Sequence, residues 1–490
     1  MHIRYIGHAG IALDVAGQHL LCDPWWNGPA YTGQWQAYPL PKVEKADLEG
    51  THFIYISHGH EDHLHIPTLR SIDKRAAILI PKNRDPGLRD SLQSMGFARV
   101  IEIGHGQSKM LAPGLRATMF LNKEDSILVL QGDGRTLVNA NDALHASPRH
   151  VVDHLCRQIR ARHPRIDTLL LGYSGGSWFP NCIQITDDQG YDAAERERIF
   201  TQSFAYVTRQ LEPRTVLPIG SGWVLLEERL RWINDVRFRS PSPAEELHRQ
   251  GAHQIACYPL QPGDRLLHDQ FLPASDRRPT PEQVEADLQR LFPAGLAAMR
   301  LRLEPDEERL EKLRQELLAN AAARGGRLLR DGQRLLCRID LRDVPGVSLL
   351  VDCERQHAHV HRCDRLRLAP LVLTTRLAVL EALATQTYGY ESISIGYGAT
   401  LQLRRSDLEM RTTLLDVLGR KPQPPTRMEA LVMWLRSPWR SFDTWRRDLH
   451  WEHLAMRLRK GEIQRTNDIF SADPDTWSPL RSEPLERHTA

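Results

Sequence analysis

The chain has 490 residues, 41% hydrophobic and 26% charged, with 64 Lys and Arg against 61 Asp and Glu and a formal net charge of +3. That length supports two to three domains with cores of their own, and the near balance of charge argues against a dedicated nucleic-acid binder. Seven scattered cysteines with no CxxC pair argue against a disulfide scaffold and fit reduced thiols in the cytoplasm. Neither a signal segment nor a membrane span is expected.

Taken in chain order, short Val-, Ile- and Leu-rich runs predict strands at Ile3–Ile6, Ile11–Val15, His19–Cys22, Phe53–Ser57, Ala77–Ile80 and Val100–Ile103. Further strands are predicted at Leu115–Phe120, Ser126–Leu130, Thr136–Asn139, Thr168–Leu171 and Thr215–Ile219. Helical patterns fall between them at Pro67–Ser71, Gly87–Met95, Arg149–Ala161 and Ala193–Leu211. Sheets covered by helices is the economical architecture for residues 1–240. The stretch 241–326 reads as a helical linker. It contains a capped start at Thr280-Pro281-Glu282-Gln283 and a helix over Asp306–Arg324 that is expected to stop at Gly325-Gly326. Strand patterns return at Arg334–Asp340, Val347–Asp352, His357–Arg362 and Ser392–Leu403, giving a smaller α+β domain over 327–420. A basic, Trp-rich tail occupies 421–490.

The strongest chemical signal is Ser57-His58-Gly59-His60-Glu61-Asp62-His63, placed directly after an apolar strand. Imidazoles and a carboxylate in one turn at a strand end can converge on a point. In this HxHxDH pattern His58 and His60 face one metal, while Asp62 and His63 face a second. Such donors suit zinc or iron, and paired metals activate water or O2. Asp142 also ends an apolar run and is placed to bridge two metals, or else caps a turn. Asp23, in Cys22-Asp23-Pro24, is a strand-end carboxylate suited to orienting a ligand imidazole, with a simple Asp-Pro turn as the alternative. His8 is a weaker candidate for the same supporting role, with a core or turn histidine as the equal alternative. Trp25, Trp26, Tyr31, Trp35 and Tyr38 follow Asp23 closely and suit either a pocket wall or a core. Gly175, Gly176 and Trp178 suit either close backbone approach to a substrate or a turn. His357, His359 and His361 alternate along one strand between Cys353 and Cys363, which reads as a solvated face. Arg427–Lys460 carries Trp434, Trp439, Trp445 and Trp451 and reads as a helix packed on the body or docking a partner.

His58–His63 and Asp142 resemble the metal motifs of the metallo-β-lactamase superfamily. The stretches Asp23-Pro24-Trp25-Trp26-Asn27-Gly28-Pro29-Ala30, Leu137-Val138-Asn139-Ala140-Asn141-Asp142, Tyr173-Ser174-Gly175-Gly176-Ser177-Trp178-Phe179-Pro180 and Leu217-Pro218-Ile219-Gly220-Ser221-Gly222 narrow the likeness to the non-haem-iron hydroxylases of CMP-N-acetylneuraminate. The resemblance implies an α/β chain: an αββα sandwich over 1–240, then the helical linker and the smaller α+β domain. It covers roughly half the chain and departs from the family in three places. No Rieske segment is found. The loop expected to supply a third metal motif, usually a histidine, reads Asn122-Lys123-Glu124-Asp125, so Glu124 first and Asp125 second are candidate replacements. No late histidine stands near Gly220–Gly222.

The resulting expectation is a non-haem di-iron hydroxylase using O2. His58, His60 and Glu124 would hold one iron, Asp62 and His63 the other, and Asp142 would bridge them, with Asp62 and Asp142 as the catalytic carboxylates and Asp125 supporting. Trp25, Trp26, Trp35, Gly175, Gly176 and Trp178 would face a small-molecule or carrier-bound substrate, and a separate electron-transfer protein would supply electrons. A di-zinc hydrolase using the same ligands is the alternative, and oligomeric state is left open.

Overall fold

His2–Gly7, Gly10–Val15 and Gln18–Cys22 form an antiparallel meander, turned at one end by His8 with φ 54° and at the other by Ala16 and Gly17. Phe53–Tyr55, Ala77–Pro81 and Val100–Ile103 then add in parallel. Parallel neighbours need crossovers, and the helices Ile66–Ser71 and Gly87–Ser94 supply them. The computed structural model describes residues 1–420 apart from 83–86, 123, 146, 148, 177, 188–192, 241, 275–277 and 409. The Trp-rich segment Arg427–Lys460 therefore lies outside the described residues.

A second sheet runs in the order Ala256–Cys257, Thr215–Ile219, Thr168–Gly172, Arg135–Asn141, Asp125–Gly132, Leu115–Asn122, Gln107–Ala112. Side chains alternate across each strand, so Leu20 and Leu79 face the second sheet while their neighbours Leu21 and Ile78 face the outer helices. Leu128, Leu137 and Leu170 meet the first pair in a core between the sheets. Val138 and Leu169 point outward under Arg149–Arg162 and Ala193–Leu211. The layers are therefore helix, sheet, sheet, helix, as the resemblance implied. Residues beyond 240 complete both sheets: Arg265–Leu267 and Gln270–Leu272 extend the first beside His2–Gly7, and Ala256–Cys257 extends the second. These strands are too short to leave a period in the sequence.

A third, mixed sheet has the order Ile183–Ile185, Ala399–Leu403, Leu371–Thr375, Leu335–Leu341, Ser348–Cys353, Ala358–Cys363. Its apolar face shares one buried cluster with Leu313 and Leu317 of Glu307–Leu328, Leu380 of Leu377–Thr385 and Leu414 of Met410–Leu418. Two expectations fail here. The helix capped by Asp306 does not stop at Gly325-Gly326 but continues to Leu328. A Cβ at Gly325 would sit 2.6 Å from Cys353 Sγ, so those glycines let the helix lie against the sheet. The stretch after Ser392 is not one strand: Glu391–Ser394 is a helical turn and the strand begins at Ala399. His357, His359 and His361 are exposed.

The third sheet is tied to the sandwich by Ile183–Ile185, which pairs in parallel with Ala399–Leu403, and by aromatic packing. Trp35–Ala37 pairs with Trp223–Leu225, stacking the Trp35 and Trp223 rings 3.8 Å apart, with Tyr397 at 6.2 Å from Trp35.

Candidate metal centre

The turn Ser57–His63 leaves the end of Phe53–Tyr55, and the carboxylate of Asp23 organises it. Asp23 Oδ1 accepts the Ser57 amide at 2.8 Å and Oδ2 accepts the Ser57 hydroxyl at 2.7 Å. The same Oδ2 lies 2.9 Å from His63 Nδ1. With Nδ1 held there, His63 Nε2 points the other way, 3.3 Å from Asp142 Oδ2 and 3.6 Å from Asp62 Oδ2. The His58 ring lies 4.2 Å from that of His63, and its Nε2 is 2.7 Å from His60 Nδ1.

Asp142 reaches the same point from the end of Arg135–Asn141. The Asn141 side chain accepts the Asp142 amide at 2.6 Å and donates to the Ser126 carbonyl at 2.9 Å. Glycine makes room for the carboxylate: a Cβ at Gly172 would lie 2.8 Å from Asp142 Oδ1, and one at Gly220 would lie 3.2 Å from it. His8, Asp23 and Asn141 adopt left-handed φ of 54°, 40° and 32°, conformations that cost energy in non-glycine residues and cluster at functional sites.

Two sets of donor atoms gather within 4.8 Å of one another, His58 with His63 and Asp142, and His8 with Asp62 and His63. Metal ions fit this place. His63 Nε2 and Asp142 Oδ1 are buried without a hydrogen-bond partner, a state that costs free energy and that a cation would relieve. Burial chiefly, aided by the neighbouring imidazoles, pushes His58 and His60 down to about 4, so both rings are neutral at neutral pH. Burial works to raise Asp62, but His63, His8 and His60 outweigh it and hold the carboxyl well below its usual range. For His63 burial pulls down, while Asp62, Asp142 and Asp23 together push it well above an ordinary histidine.

The remaining candidates fall in different places. His8 Nε2 lies 2.9 Å from Asp62 Oδ2, close to the ligand atoms rather than behind them. Asp125 Oδ1 is 3.8 Å from His58 Nδ1, whereas Glu124, the first choice for the third motif, is exposed on the turn beside it. The reason is register: Asp125 begins the strand Asp125–Gly132 that enters the site, and Glu124 precedes it. Trp25 is fully buried with its ring 5.2 Å from His8. Trp26 packs in the outer layer of the first sheet, its amide bonded to Thr68 Oγ1. Trp35 and Trp178 belong to the buried core shared with the third sheet. Gly175 passes close to His145, with a Cβ there 3.1 Å from its Nε2, and Gly176 lies against the Trp35 ring.

Two residues, His145 and Glu391, escaped the sequence reading, and Tyr31 was read there only as pocket wall or core. His145 Nδ1 lies 3.9 Å from Asp142 Oδ1, and its spacing of three residues after Asp142 was the available signal. The Tyr31 hydroxyl donates to Asp62 Oδ1. Glu391, from the helical turn Glu391–Ser394, faces the site across a long sequence separation and left no signal. Burial first, then Asp62, Glu124 and Glu61, push its carboxyl up to about 8. Ser392 Oγ, next to it, is 2.7 Å from Thr32 Oγ1, so the third-sheet region closes one side of the site.

Residues 18–175 match the model of the "Beta-lactamase superfamily domain". A Mycobacterium tuberculosis protein named for a Rieske 2Fe-2S iron–sulfur cluster is 30% identical over 251 residues, 48% of this chain and 46% of that one. The cytidine monophosphate-N-acetylneuraminic acid hydroxylase of Xenopus laevis is 35% identical over 294 residues, 55% of this chain and 47% of that one. The chain spans about half the length of the curated relatives it matches. Among solved structures, CmlA, a diiron β-hydroxylase from Streptomyces venezuelae, aligns with a TM-score of 0.36 at 17% identity, covering 56% of this chain and 54% of that one.

Proposed function

We propose that this chain, whose residues 18–175 match the model of the Beta-lactamase superfamily domain, is a non-haem di-iron oxygenase that hydroxylates a small-molecule or carrier-bound substrate. The carrying observation is the donor set. Asp62, Asp125 and Asp142 gather with His58, His60 and His63, and the third-motif loop offers carboxylates where a histidine is usual. Carboxylate-rich sites are hard and suit iron more than a histidine-rich zinc site does. The hydroxylase name carried by relatives supports the same reading.

Here His58, His60 and Asp125 would hold one ion and Asp62 and His63 the other, with Asp142 placed between the two sets. His8 joins Asp62 and His63. When bound, the two ions supply the reduction of O2. The overall reaction consumes one O2, two electrons and two protons, placing one oxygen atom on the substrate and releasing the other as water. Asp23 holds His63 in the tautomer whose Nε2 is free, and Tyr31 holds Asp62 from the opposite side. Electrons come from a separate electron-transfer protein, a need that the Rieske names among the relatives support.

A second reading, a di-zinc hydrolase, is favoured by one observation. Asp62 is held as an ionised carboxylate between His8 and Tyr31, which suits a proton shuttle for hydrolysis. Elemental analysis with optical spectra under air and after anaerobic reduction separates the two. About two irons per chain that respond to reductant and O2 support the oxygenase. Two zincs with no redox response sink it and turn the search to phosphoester, amide and lactone substrates.

A further inference from the structure

On the far side of His8 from Asp62, a cleft opens where Thr168–Gly172 and Thr215–Ile219 end. Its lining includes Arg237, Arg278, Tyr5, Tyr173, Ser174 and Glu197. Arg237 forms the floor, with its guanidinium 3.5 Å over the Trp223 ring. It donates to the carbonyls of Trp223 and Ser221 at 2.7 Å each and to Ser174 Oγ at 3.3 Å. The head is thus rigid, and only 8% of the residue is exposed. Arg278 enters from the segment before Pro281–Leu291 and donates through Nη2 to the Tyr173 hydroxyl at 2.8 Å. Tyr173 accepts in that bond, which leaves its own proton for another acceptor.

Among the described residues, the charge lining the cleft is unbalanced: two guanidinium groups stand against one carboxylate, Glu197, which accepts from Ser174 Oγ at 3.2 Å. The two arginines are close enough to repel: after burial, which is the main cause, and alongside the opposing pull of Glu197, Arg278 helps to lower the Arg237 guanidinium. Two other carboxylates stand near without lining the cleft. Asp264 accepts the amides of Gln261 and Ala274, and Glu245 accepts the amide of Ser242. Like charges held together in a partly desolvated place are costly unless an opposite charge joins them.

We propose that this cleft binds an oxyanion, the phosphate or carboxylate group of a ligand, with Arg278 and Tyr173 as donors and Arg237 as the buried countercharge. The cleft is separated from the metal ligands by one residue. Tyr5 donates its hydroxyl to the His8 carbonyl at 3.0 Å, and a Cβ at Gly222 would sit 2.6 Å from the His8 amide nitrogen. The His8 ring meanwhile lies 2.9 Å from Asp62. A ligand anchored here by its anionic group is therefore held next to the metal centre without using a metal position. The proposal names a chemical class of ligand, and it holds whichever metals the centre takes.

The test is thermal unfolding of the full-length, metal-loaded protein with inorganic phosphate or acetate added against chloride at matched ionic strength. A saturable rise in Tm is expected with one or both anions, since a ligand that binds only the folded state stabilises it in proportion to its occupancy. Phosphate alone identifies a phosphate group and acetate alone a carboxylate. Arg278→Gln should weaken the apparent affinity about tenfold or more, Arg278→Lys less, and Tyr173→Phe by a few-fold, all with unchanged metal content. No saturable shift with either anion overturns the proposal. So does an equal shift in Arg278→Gln, which would place the anion at the metals. Because metal content is read separately, a chain that proves to bind zinc leaves this test intact.

Discussion

Asp23 Oδ2 lies 2.9 Å from His63 Nδ1 while both side chains are fully buried. With the bonds of Asp23 to Ser57, that contact ties the first long loop to the histidine turn. It decides which imidazole nitrogen is presented to Asp62 and Asp142, because a ring whose Nδ1 proton is held by a carboxylate offers Nε2 as the lone pair.

Replacing Asp23 with Asn keeps the shape and tolerates the left-handed backbone there but removes the charge that orients the ring. Metal affinity should fall about 10–100-fold. Competition titration against a chelator measures it, and affinity equal to the parent protein would show that His63 is oriented by other contacts.

Gly172→Ala places a methyl group 2.8 Å from Asp142 Oδ1 and 2.9 Å from the Asn141 carbonyl. The carboxylate is the softer neighbour and should move, so the expected outcome is loss of metal stoichiometry, with a stability loss of about 1–3 kcal/mol from overpacking. Elemental analysis beside urea unfolding reads both, and an unchanged metal count would mean that Asp142 does not contact the ions.

The Trp35–Trp223 stack joins the sandwich to the third sheet. Trp35→Ala removes a fully packed ring and should cost about 3–5 kcal/mol. The loss should also loosen Tyr397 and the Glu391–Ser394 turn, raising amide exchange over 388–397. Protection there equal to the parent would show that this stack does not hold the rim.

Asp47 accepts from Arg4 Nη2 and lies 3.1 Å from His19 Nε2, away from the metal centre. Burial works to raise its carboxyl, but the bonds from His19, Glu44 and Arg4 outweigh it and leave it lowered from 3.8. A lowered carboxyl stabilises the fold above its unfolded value, and that stability is lost as pH falls through the folded one. His19 behaves oppositely. Burial lowers it, but Asp47 and Asp14 leave it raised from 6.5, so its contribution is complete below 6.5 and fades as pH rises through the raised value. Arg4→Met removes one of the three partners that hold the Asp47 charge and should cost up to about 3 kcal/mol at neutral pH, with a smaller loss once pH has fallen through the lowered carboxyl value. Tm measured across pH checks this, and a loss of equal size at every pH would point to packing alone.

By itself the sequence determined the layered N-terminal fold and the heart of the candidate centre. The signals were local: Leu20 beside Leu21 and Ile78 beside Leu79 carry the two-residue period of strands buried on both faces. Likewise, His58, His60, Asp62 and His63 sit so close in the chain that one turn must bring them together. Asp23 and Asp142 were legible for the same reason, each ending a strong apolar run. Tertiary structure alone decided everything that depends on distant segments meeting. Register, not composition, put Asp125 rather than Glu124 beside His58. Packing of Gly325 on Cys353 carried a helix past two glycines that propensity would have used to end it. The stacking of Trp35 on Trp223 put a residue that the sequence left open, as pocket wall or core, into the buried cluster shared with the third sheet. Glu391 and the Arg237–Arg278 cleft combine residues far apart in the chain, and no period or local motif records such meetings, because they are set by how whole layers dock.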